Sequence, residues 1–327
     1  MTRPTHAKLL TIGEILVEVV ATTKGNGFRE AQPLIGPFPS GAPAIFVDQA
    51  ARIGAKAAIV SRVGDDDFGT LNIRRLSEDG VDVSGISVAR GESTGSAFVR
   101  YREDGSRAFV YNIINSACGK FSMTPEANTL IEDCTHIHVM GTALSTPSLS
   151  EMVKTAITRV KAKGGTLSFD PNIRPEILNT SGLRAELNEV LAQTDLFLPS
   201  GNELFLFTEA QDETGAIREL LARGLKAILL KRGAEGARYF DAEQRLEAKP
   251  ICVEELDPTG AGDCFGGAFV GLWLNGAPIE TALRYANAAG AHAVTKVGPM
   301  EGAATRAELD AFLATHQSRI TENTQGI

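Results

Sequence analysis

The sequence has no long hydrophobic run. Its most apolar early stretch, residues 9–20, is interrupted by Glu14 and Glu18. No segment approaches the roughly 18 apolar residues that a bilayer crossing requires. The N-terminus also lacks the basic start and small-residue cleavage site of a secretory signal. We therefore expect no membrane partner and a cytoplasmic location.

Basic residues are in deficit. Lys and Arg number 32 against 40 Asp and Glu, so the formal net charge is −8 and the pI is near 5.3. Nucleic-acid binding needs a basic face to attract phosphates, and no run of Lys or Arg occurs here. We therefore do not expect a nucleic-acid partner. A small anionic substrate remains compatible with the sequence, because local charges can oppose the net sign.

Cysteine is scarce, and no CxxC pair occurs. Cys118, Cys134, Cys252 and Cys264 are scattered along the chain, which predicts reduced thiols rather than a disulfide framework. The alternating pair His136 and His138 has no third ligand nearby in the sequence. We interpret these histidines as core residues rather than metal ligands.

The length, the apolar content and the order of apolar segments predict a large α/β protein. Of the 327 residues, 43% are apolar, which is enough for a substantial core. The length fits about two domains, or one large α/β unit with an appendage. Short aliphatic runs alternate with amphipathic stretches, a pattern that favours a mostly parallel sheet with helices on both faces. The predicted strands cover residues 9–13, 57–63, 137–141, 166–170, 196–198 and 227–231.

One segment departs from this alternation. Residues 97–102 and 107–112 are predicted strands of a hairpin, joined by a polar loop with the turn dipeptide Asp104-Gly105. With partner strands from the region 15–38, they predict a small β-sheet lid formed by residues 15–38 and 94–118. Because an exposed sheet leaves strand edges and apolar surface uncovered, we also expect this lid to form a homodimer contact. The tail after about Thr315 is polar and is expected to fray.

The most informative motif is Asp257-Pro258-Thr259-Gly260-Ala261-Gly262-Asp263. Its small residues lead into a predicted helix beginning near Asp263, whose N-terminal N–H groups suit an anion. Asp263 fits a general base that takes a proton from a substrate hydroxyl. A helix N-cap after a flexible turn is the other interpretation. The chain has neither GxxxxGK[ST] nor GxGxxG after the first strand, so any phosphate site is of another type.

Taken in order, the motifs resemble those of the ribokinase-like, or PfkB, carbohydrate kinases. The resemblance runs from Thr11-Ile12-Gly13-Glu14 to about Gly298. The motifs that carry it are Ser40-Gly41-Ala42-Pro43-Ala44, Val63-Gly64-Asp65-Asp66-Asp67-Phe68-Gly69, Thr94-Gly95, Asp170-Pro171-Asn172-Ile173-Arg174-Pro175, Lys231-Arg232-Gly233-Ala234-Glu235-Gly236 and the 257–263 motif.

The resemblance implies a doubly wound, mostly parallel α/β sheet with helices on both faces, a β-sheet lid, and one kinase domain spanning residues 1–327. It also implies ATP-dependent phosphorylation of a sugar hydroxyl. By analogy with the family, Asp263 is the catalytic base. Gly260, Ala261 and Gly262 are its anion hole.

The resemblance extends to the nucleotide and its ions. The family holds Mg²⁺ largely through nucleotide phosphates and water, supported by the Glu of an Asn-x-x-Glu motif. Here that motif reads Ser200-Gly201-Asn202-Glu203, so Glu203 matches and Ser200 replaces the nucleotide-contacting Asn. The remaining implied positions are Lys231, Gly233, Gly236 and Asn287 for ATP, and Asp257 and Thr259 for a monovalent cation such as K⁺.

The resemblance also indicates which residues contact the sugar: Glu18, Gly41, Ile45, Tyr111, Arg174 and Asp263. Three departures from the family pattern bear on its identity. Ile45 stands where a sugar-binding amide is common, and Glu18 where an aspartate is frequent. Ile113 replaces the arginine of a Tyr-x-Arg element, which removes a partner for a substrate carboxylate. These changes favour a neutral ketohexose, phosphorylated on its terminal primary hydroxyl. The segment Ser40-Gly41-Ala42-Pro43-Ala44-Ile45 resembles tagatose kinases more than fructokinases, so we expect tagatose before fructose.

Three alternatives stay open at this point. The acceptor is 2-keto-3-deoxygluconate, or it is a nucleoside stacked on Tyr101, Tyr111 or lid phenylalanines, or the chain is a catalytically silent sugar sensor. The intact Gly260 to Asp263 motif argues against the sensor, because a degenerate member would most readily lose Asp263.

Overall fold

The computed structural model describes residues 8–25, 27–104, 107–173, 182–316 and 319–322. Its strands are β1 (Lys8–Ile12), β2 (Leu16–Ala21), β3 (Leu34–Ser40), β4 (Lys56–Gly64), β5 (Ile86–Ala89), β6 (Gly95–Tyr101), β7 (Arg107–Asn112), β8 (His136–Met140), β9 (Thr166–Asp170), β10 (Leu196–Phe197), β11 (Ala227–Lys231), β12 (Ala237–Asp241), β13 (Arg245–Ala248) and β14 (Ile320–Glu322).

The α-helices are α1 (Ala42–Arg52), α2 (Asp67–Glu78), α3 (Pro125–Asp133), α4 (Pro147–Ala162), α5 (Leu183–Leu191), α6 (Glu213–Ala222), α7 (Ala261–Leu274), α8 (Ile279–Ala293) and α9 (Arg306–Thr315). Short 3₁₀ turns lie at Ala117–Gly119, Gly141–Leu144, Gly201–Phe207 and Gly233–Glu235. None of the helices in the described ranges combines the length and apolar composition that a membrane crossing requires.

The main sheet has ten strands in the order β14-β13-β12-β11-β10-β9-β8-β1-β4-β5. From β11 to β5 every neighbouring pair is parallel, whereas β12, β13 and β14 continue antiparallel from β11. All six predicted strands are present, each within one residue at either end. The expected frayed tail was wrong in part, because β14 pairs with β13 at the sheet edge.

The doubly wound architecture follows from alternation along the buried strands. In β1, Leu9 packs with a cluster that includes α1, α7 and α8, while Leu10 and Ile12 face a second cluster with α3, α4, α5 and α6. Successive side chains of a strand point to opposite faces, so both faces must be covered when both are apolar. The predicted fold class is therefore confirmed.

A separate four-stranded sheet, in the order β3-β2-β6-β7, forms the predicted lid. β6 and β7 form the antiparallel hairpin with Ala97 opposite Tyr111, and β2 runs antiparallel to β3. The two halves meet where β2 runs parallel to β6. Each half of this sheet is formed by one continuous segment, whereas the pairing of β2 with β6 joins two distant segments of the chain.

The predicted core histidines and thiols lie as expected. His136 and His138 are fully buried, both bond to the Ser168 hydroxyl, and His138 stacks on Phe46 at 3.6 Å. The four cysteines are free thiols, and Cys252 is the exposed one among them. Helices α1 and α7 are buried along most of their length, and Trp273 of α7 lies in the core.

Candidate active site

A cavity of about 490 Å³ lies at the carboxyl ends of the parallel strands, beneath the lid. Such a position is where ligands bind in open α/β sheets. Predicted site residues from distant parts of the chain line it together: Glu18, Gly41, Ile45, Tyr111, Ser200, Lys231, Thr259, Gly260, Gly262 and Asp263. Arg174, the remaining predicted sugar contact, lies outside the described residues.

Asp263 stands in the first turn of α7 and not at its cap. The N-cap is Gly260, and α7 begins at Ala261, two residues earlier than expected. The N-cap interpretation of Asp263 was therefore wrong. Its Oδ1 instead accepts a hydrogen bond from Asn172 Nδ2 at 3.3 Å. The carboxylate thus lines the cavity beside the first turn of α7, whose leading N–H groups have no intrahelical partner.

Gly260 is required by its local geometry. Its φ is 79°, in the left-handed region, and a Cβ there would collide with the carbonyl oxygen of Pro299. Only glycine meets both conditions without strain. At Gly262 the nearest atom to an added Cβ is Lys231 Nζ, at 3.7 Å. The start of α7 is therefore an open N–H surface with an ammonium group beside it.

A second cavity, of about 480 Å³, lies on the other side of this helix start. Lys231, Pro258 and Gly262 line both cavities, so the two meet there. The other predicted ATP contacts that line the second cavity are Gly233, Gly236 and Asn287, and the anion-hole residue Ala261 lines it too. Ser200 and Gly260, also predicted as ATP contacts, line only the first of the two cavities. Gly233 and Gly236 also form the turn between β11 and β12, so the same turn lines the second cavity.

Lys231 belongs to a buried charged cluster. Its Nζ forms an ion pair with Asp170 Oδ2. Burial opposes its charge, but the carboxylates of Asp170 and Glu203 outweigh that effect and raise the pKa of Lys231. Burial, and then the Asp170 carboxylate, raise the pKa of Glu203 against the opposing effect of Lys231. The ammonium group at the junction of the cavities is therefore firmly protonated.

Glu203 also holds the backbone around the site. Its Oε1 accepts the Ile173 N–H at 2.7 Å, and its Oε2 accepts the Ser200 N–H at 2.7 Å. Both carboxylate oxygens are thus already engaged with backbone. In the described part of the chain, no three His, Cys, Asp or Glu side chains converge at metal-binding distance. This donor set fits a Mg²⁺ ion held mainly by phosphates and water, and does not fit a protein-only metal cage.

The lid touches the loop that precedes the anion hole. The Tyr101 hydroxyl donates to Asp257 Oδ1 at 3.2 Å, and Arg107 Nη1 donates to Thr259 Oγ1 at 2.6 Å. Asp257 Oδ2 accepts the Gly298 N–H at 3.1 Å. Burial and then Asp257 raise the pKa of Tyr101 to about 12, so this hydroxyl stays protonated. Residues matched to a monovalent cation thus also bind the lid.

The predicted sugar contacts line the cavity from the lid and α1. Glu18 Oε1 accepts a hydrogen bond from the Ser40 hydroxyl at 2.8 Å. Gly41, the residue before α1, has a φ of 114° and approaches the Glu14 backbone too closely for a Cβ. Ile45 follows on α1 and is buried, while Tyr111 stacks on Phe109 in β7 with ring centroids 5.2 Å apart.

Several cavity residues were not singled out from the sequence. Glu14, Arg107, Thr142 and Thr146 line the first cavity, and the hydroxyls of both threonines are buried without a hydrogen-bond partner. The threonines follow the carboxyl end of β8, so the rule that places ligands at strand ends could have identified them. Nothing in the sequence identifies Arg107, because its contact with Thr259 joins residues 152 positions apart.

Comparisons with known proteins agree with this geometry. The family model for pfkB family carbohydrate kinases matches residues 6–306. The probable fructokinase-3 of Arabidopsis thaliana is 31% identical over 324 residues, covering 96% of this chain and 93% of the relative.

Two solved structures are similar over nearly the whole chain. One, from E. coli and provisionally named ribokinase II, was determined with ATP and Mg²⁺. It is 47% identical with a TM-score of 0.90, covering 95% of this chain and 100% of that one. The other is the fructokinase of Vibrio cholerae O395 with fructose, ADP and calcium bound. It is 26% identical with a TM-score of 0.79, and the match covers 95% of this chain and 100% of that one.

The family match thus spans the lining of both cavities, the lid sheet and the start of α7, where Asp263 lines the first cavity beside Gly262. This chain belongs to the pfkB family of carbohydrate kinases and is a phosphotransferase.

Proposed function

We propose that this protein transfers the γ-phosphoryl group of ATP to the terminal primary hydroxyl of a ketohexose, tagatose or fructose. One observation carries the proposal: Asp263 lines the first cavity beside Gly262, where a second cavity of similar volume begins. A sugar in the first cavity and a nucleotide in the second would meet at the carboxylate and the N-terminus of α7. The catalytic unit in this proposal is the whole chain, residues 1–327.

In this proposal Asp263 accepts the proton of the sugar hydroxyl as the oxygen attacks the γ-phosphorus. Asn172 holds the carboxylate in place through its amide N–H. Gly260, Ala261 and Gly262 present backbone N–H groups to the negative charge of the transferring group. Glu18, Gly41, Ile45 and Tyr111 shape the sugar cavity.

The nucleotide lies along Lys231, Gly233, Gly236 and Asn287 in the second cavity in this proposal, and Ser200 would contact it from the first cavity. Mg²⁺, when bound, would neutralise negative charge on the phosphates. Glu203 would hold it through water, since both its carboxylate oxygens already accept backbone N–H bonds. Asp257 and Thr259 remain the candidate positions for K⁺.

The choice of a ketohexose draws on the relatives as well as on the pocket. The Arabidopsis thaliana relative is named a probable fructokinase, and the Vibrio cholerae structure contains fructose. Tagatose differs from fructose in one hydroxyl configuration, and the segment from Ser40 to Ile45 favours tagatose. The unpartnered hydroxyls of Thr142 and Thr146 suit a ligand rich in hydroxyl groups.

A second acceptor, 2-keto-3-deoxygluconate, is favoured by one observation. Arg107 lines the first cavity, and its guanidinium can pair with a substrate carboxylate even though Ile113 replaces the family arginine. The two acceptors therefore differ in what they require of Arg107.

The deciding experiment measures ADP release from Mg-ATP with tagatose, fructose, 2-keto-3-deoxygluconate, ribose and adenosine. We expect the highest kcat/KM on a ketohexose, and NMR of the product should place the phosphate on the terminal primary carbon. Turnover confined to the sugar acid would replace the ketohexose with the second acceptor. ATP and sugar binding without any ADP release would favour the sensor.

We further propose that the protein is cytoplasmic, where ATP is supplied, and that the lid sheet forms a homodimer. Phe98 and Val110 are cross-strand neighbours in the lid, and they are 36% and 56% exposed. Leu34 and Ile35 add exposed apolar area on β3. Adjacent exposed apolar side chains on a sheet are typical of a protein interface.

A further inference from the structure

We propose that Lys231 is a catalytic residue whose ammonium group contacts the transferring phosphoryl group, with Asp170 as its counter-ion before the nucleotide binds. This inference rests on the proposed kinase function and deepens it. The family resemblance assigns Lys231 only to the ATP channel, whereas its position at the junction of the cavities gives it a role in the transfer itself.

The position of the ammonium group is the first argument. Lys231 is the last residue of β11, and it lines both the sugar cavity and the nucleotide cavity. Its Nζ would lie 3.7 Å from a Cβ added to Gly262, so the charge stands directly against the proposed anion hole. In the described residues, Pro258 and Gly262 are the other residues common to both cavities, and neither carries a charge.

The asymmetry of the ion pair is the second argument. The Asp170 side chain is 1% exposed and lies behind Lys231, whose side chain is 10% exposed. Asp170 Oδ1 also accepts the Asn172 N–H at 3.1 Å, which fixes the carboxylate in the protein. A carboxylate fixed in this way keeps the ammonium charged and in place, while the cavity side of the ammonium remains open to a second anion.

The chemical step is balanced without any further reactant. The sugar oxygen forms a bond to the γ-phosphorus as the bond to the β–γ bridging oxygen of ATP breaks. The hydroxyl proton passes to Asp263, and ADP leaves with the electron pair of the broken bond. Lys231 forms no covalent bond. Its charge offsets the negative charge on the phosphoryl oxygens during transfer, and Lys231 therefore distinguishes ATP, which carries a γ-phosphoryl group, from ADP.

The test compares three variants: Lys231→Met, Asp170→Asn and the double variant Asp170→Asn/Lys231→Met. The single methionine variant leaves the Asp170 carboxylate buried and unpaired, which can itself unfold the protein. The double variant is neutral and nearly isosteric, and it keeps the acceptor for the Asn172 N–H. Lys226→Met is the matched control, because this lysine precedes β11 and its side chain is 54% exposed.

We expect the double variant to remain folded and to lose at least 100-fold in kcat on the best acceptor. Its ATP affinity should fall at least tenfold, while its ADP affinity should stay within threefold of wild type. Asp170→Asn should retain kcat within tenfold, because the ammonium group remains. A purely structural ion pair would instead make Asp170→Asn as damaging as Lys231→Met, and would lower ATP and ADP affinity equally. Either of those results, or wild-type kcat in the double variant, would overturn the proposal.

The binding measurements keep this proposal separate from the proposed function. ATP and ADP affinities are measured by calorimetry without any sugar, so they test Lys231 even if the acceptor is misidentified. A wild-type protein that releases no ADP with any acceptor would refute the proposed ketohexose reaction. The change in the ratio of ATP to ADP affinity would still support or refute the contact between Lys231 and the γ-phosphoryl group.

Discussion

Asp263 depends on its neighbours for position. Its carboxylate lines the sugar cavity, accepts a hydrogen bond from Asn172, and stands two residues after the start of α7. Asn172 itself has a φ of 40°, which an asparagine tolerates better than most residues. A left-handed asparagine just after β9 therefore orients the proposed base.

Substituting Asp263 with Asn should lower kcat by on the order of 10² or more while sugar affinity stays within a few-fold, because a general base is lost and the shape is kept. Steady-state kinetics and a sugar titration would measure both. Asp67→Asn is the control, since Asp67 is an exposed acidic residue in the first turn of α2. Near wild-type kcat in Asp263→Asn would refute the assignment of the base.

The buried histidines make stability depend on pH. Burial lowers the pKa of His136 to about 3, while an unfolded histidine titrates near 6.5. Between these values the unfolded state binds one more proton than the folded state, so His136 reduces stability as pH falls from about 6.5 toward 3. Above about pH 6.5 His136 is neutral in both the folded and the unfolded state, so it costs the folded state no stability there.

His136→Gln should therefore reduce the slope of unfolding free energy against pH between pH 7 and 5. One proton corresponds to about 1.4 kcal/mol per pH unit. Urea unfolding at several pH values in wild type and variant gives the slopes. The half-buried His316, the C-cap residue of α9, supplies the control variant His316→Gln. Equal slopes in wild type and His136→Gln would show that His136 does not contribute.

At the scale of elements, the lid hairpin and the 257–259 loop form one unit. Arg107 at the start of β7 bonds to Thr259, and Tyr101 at the end of β6 bonds to Asp257. The two contacts hold the turn end of the hairpin against the loop that leads into α7. Lid position and anion-hole geometry are therefore coupled through two side-chain hydrogen bonds.

Arg107→Ala should raise KM for the acceptor at least tenfold, because the hairpin loses its anchor over the sugar cavity. Thermal stability should change little, since Arg107 lies at the surface of the cavity and not in the core. Arg90→Ala is a matched control with a side chain 94% exposed. The prediction fails if both variants keep the wild-type KM. A loss confined to 2-keto-3-deoxygluconate would indicate a carboxylate contact instead.

At the scale of the whole molecule, the exposed outer side of the lid predicts association. A homodimer that buries Phe98 and Val110 would remove apolar area from water that the monomer leaves exposed. The lid strands β3 and β7 are also sheet edges, which a partner can cover.

Sedimentation should give a mass of twice 34.7 kDa for the wild type. Val110→Lys should shift it to the monomer mass, because a charge would be buried in the interface. Lys120→Met, which changes an exposed lysine outside the lid strands, is the control. A monomeric wild type would exclude the dimer.

Much of the fold was predictable because its signals are local. The short aliphatic runs of β1, β4, β8, β9 and β11 can be recognised without knowledge of neighbouring strands, and these strands occur within one residue of the predicted bounds. The hairpin of residues 97–112 was predictable for the same reason, because the turn dipeptide Asp104-Gly105 lies between two short predicted strands. The strands β5, β12, β13 and β14 were not predicted. β14 in particular pairs with β13 across a sequence separation of more than 70 residues, which no local pattern records.

The candidate site likewise has features that the sequence alone indicated and contacts that only the tertiary structure revealed. The motif from Asp257 to Asp263 and the two glycines after β11 are properties of the chain. Together with the other motifs they resemble the PfkB family, and that resemblance implied a carbohydrate kinase. The tertiary structure decided that Lys231 lies between the cavities with Asp170 behind it, and that Arg107 reaches Thr259. These contacts depend on distances between residues far apart in sequence, and such distances are set only when the sheet, the lid and α7 pack together.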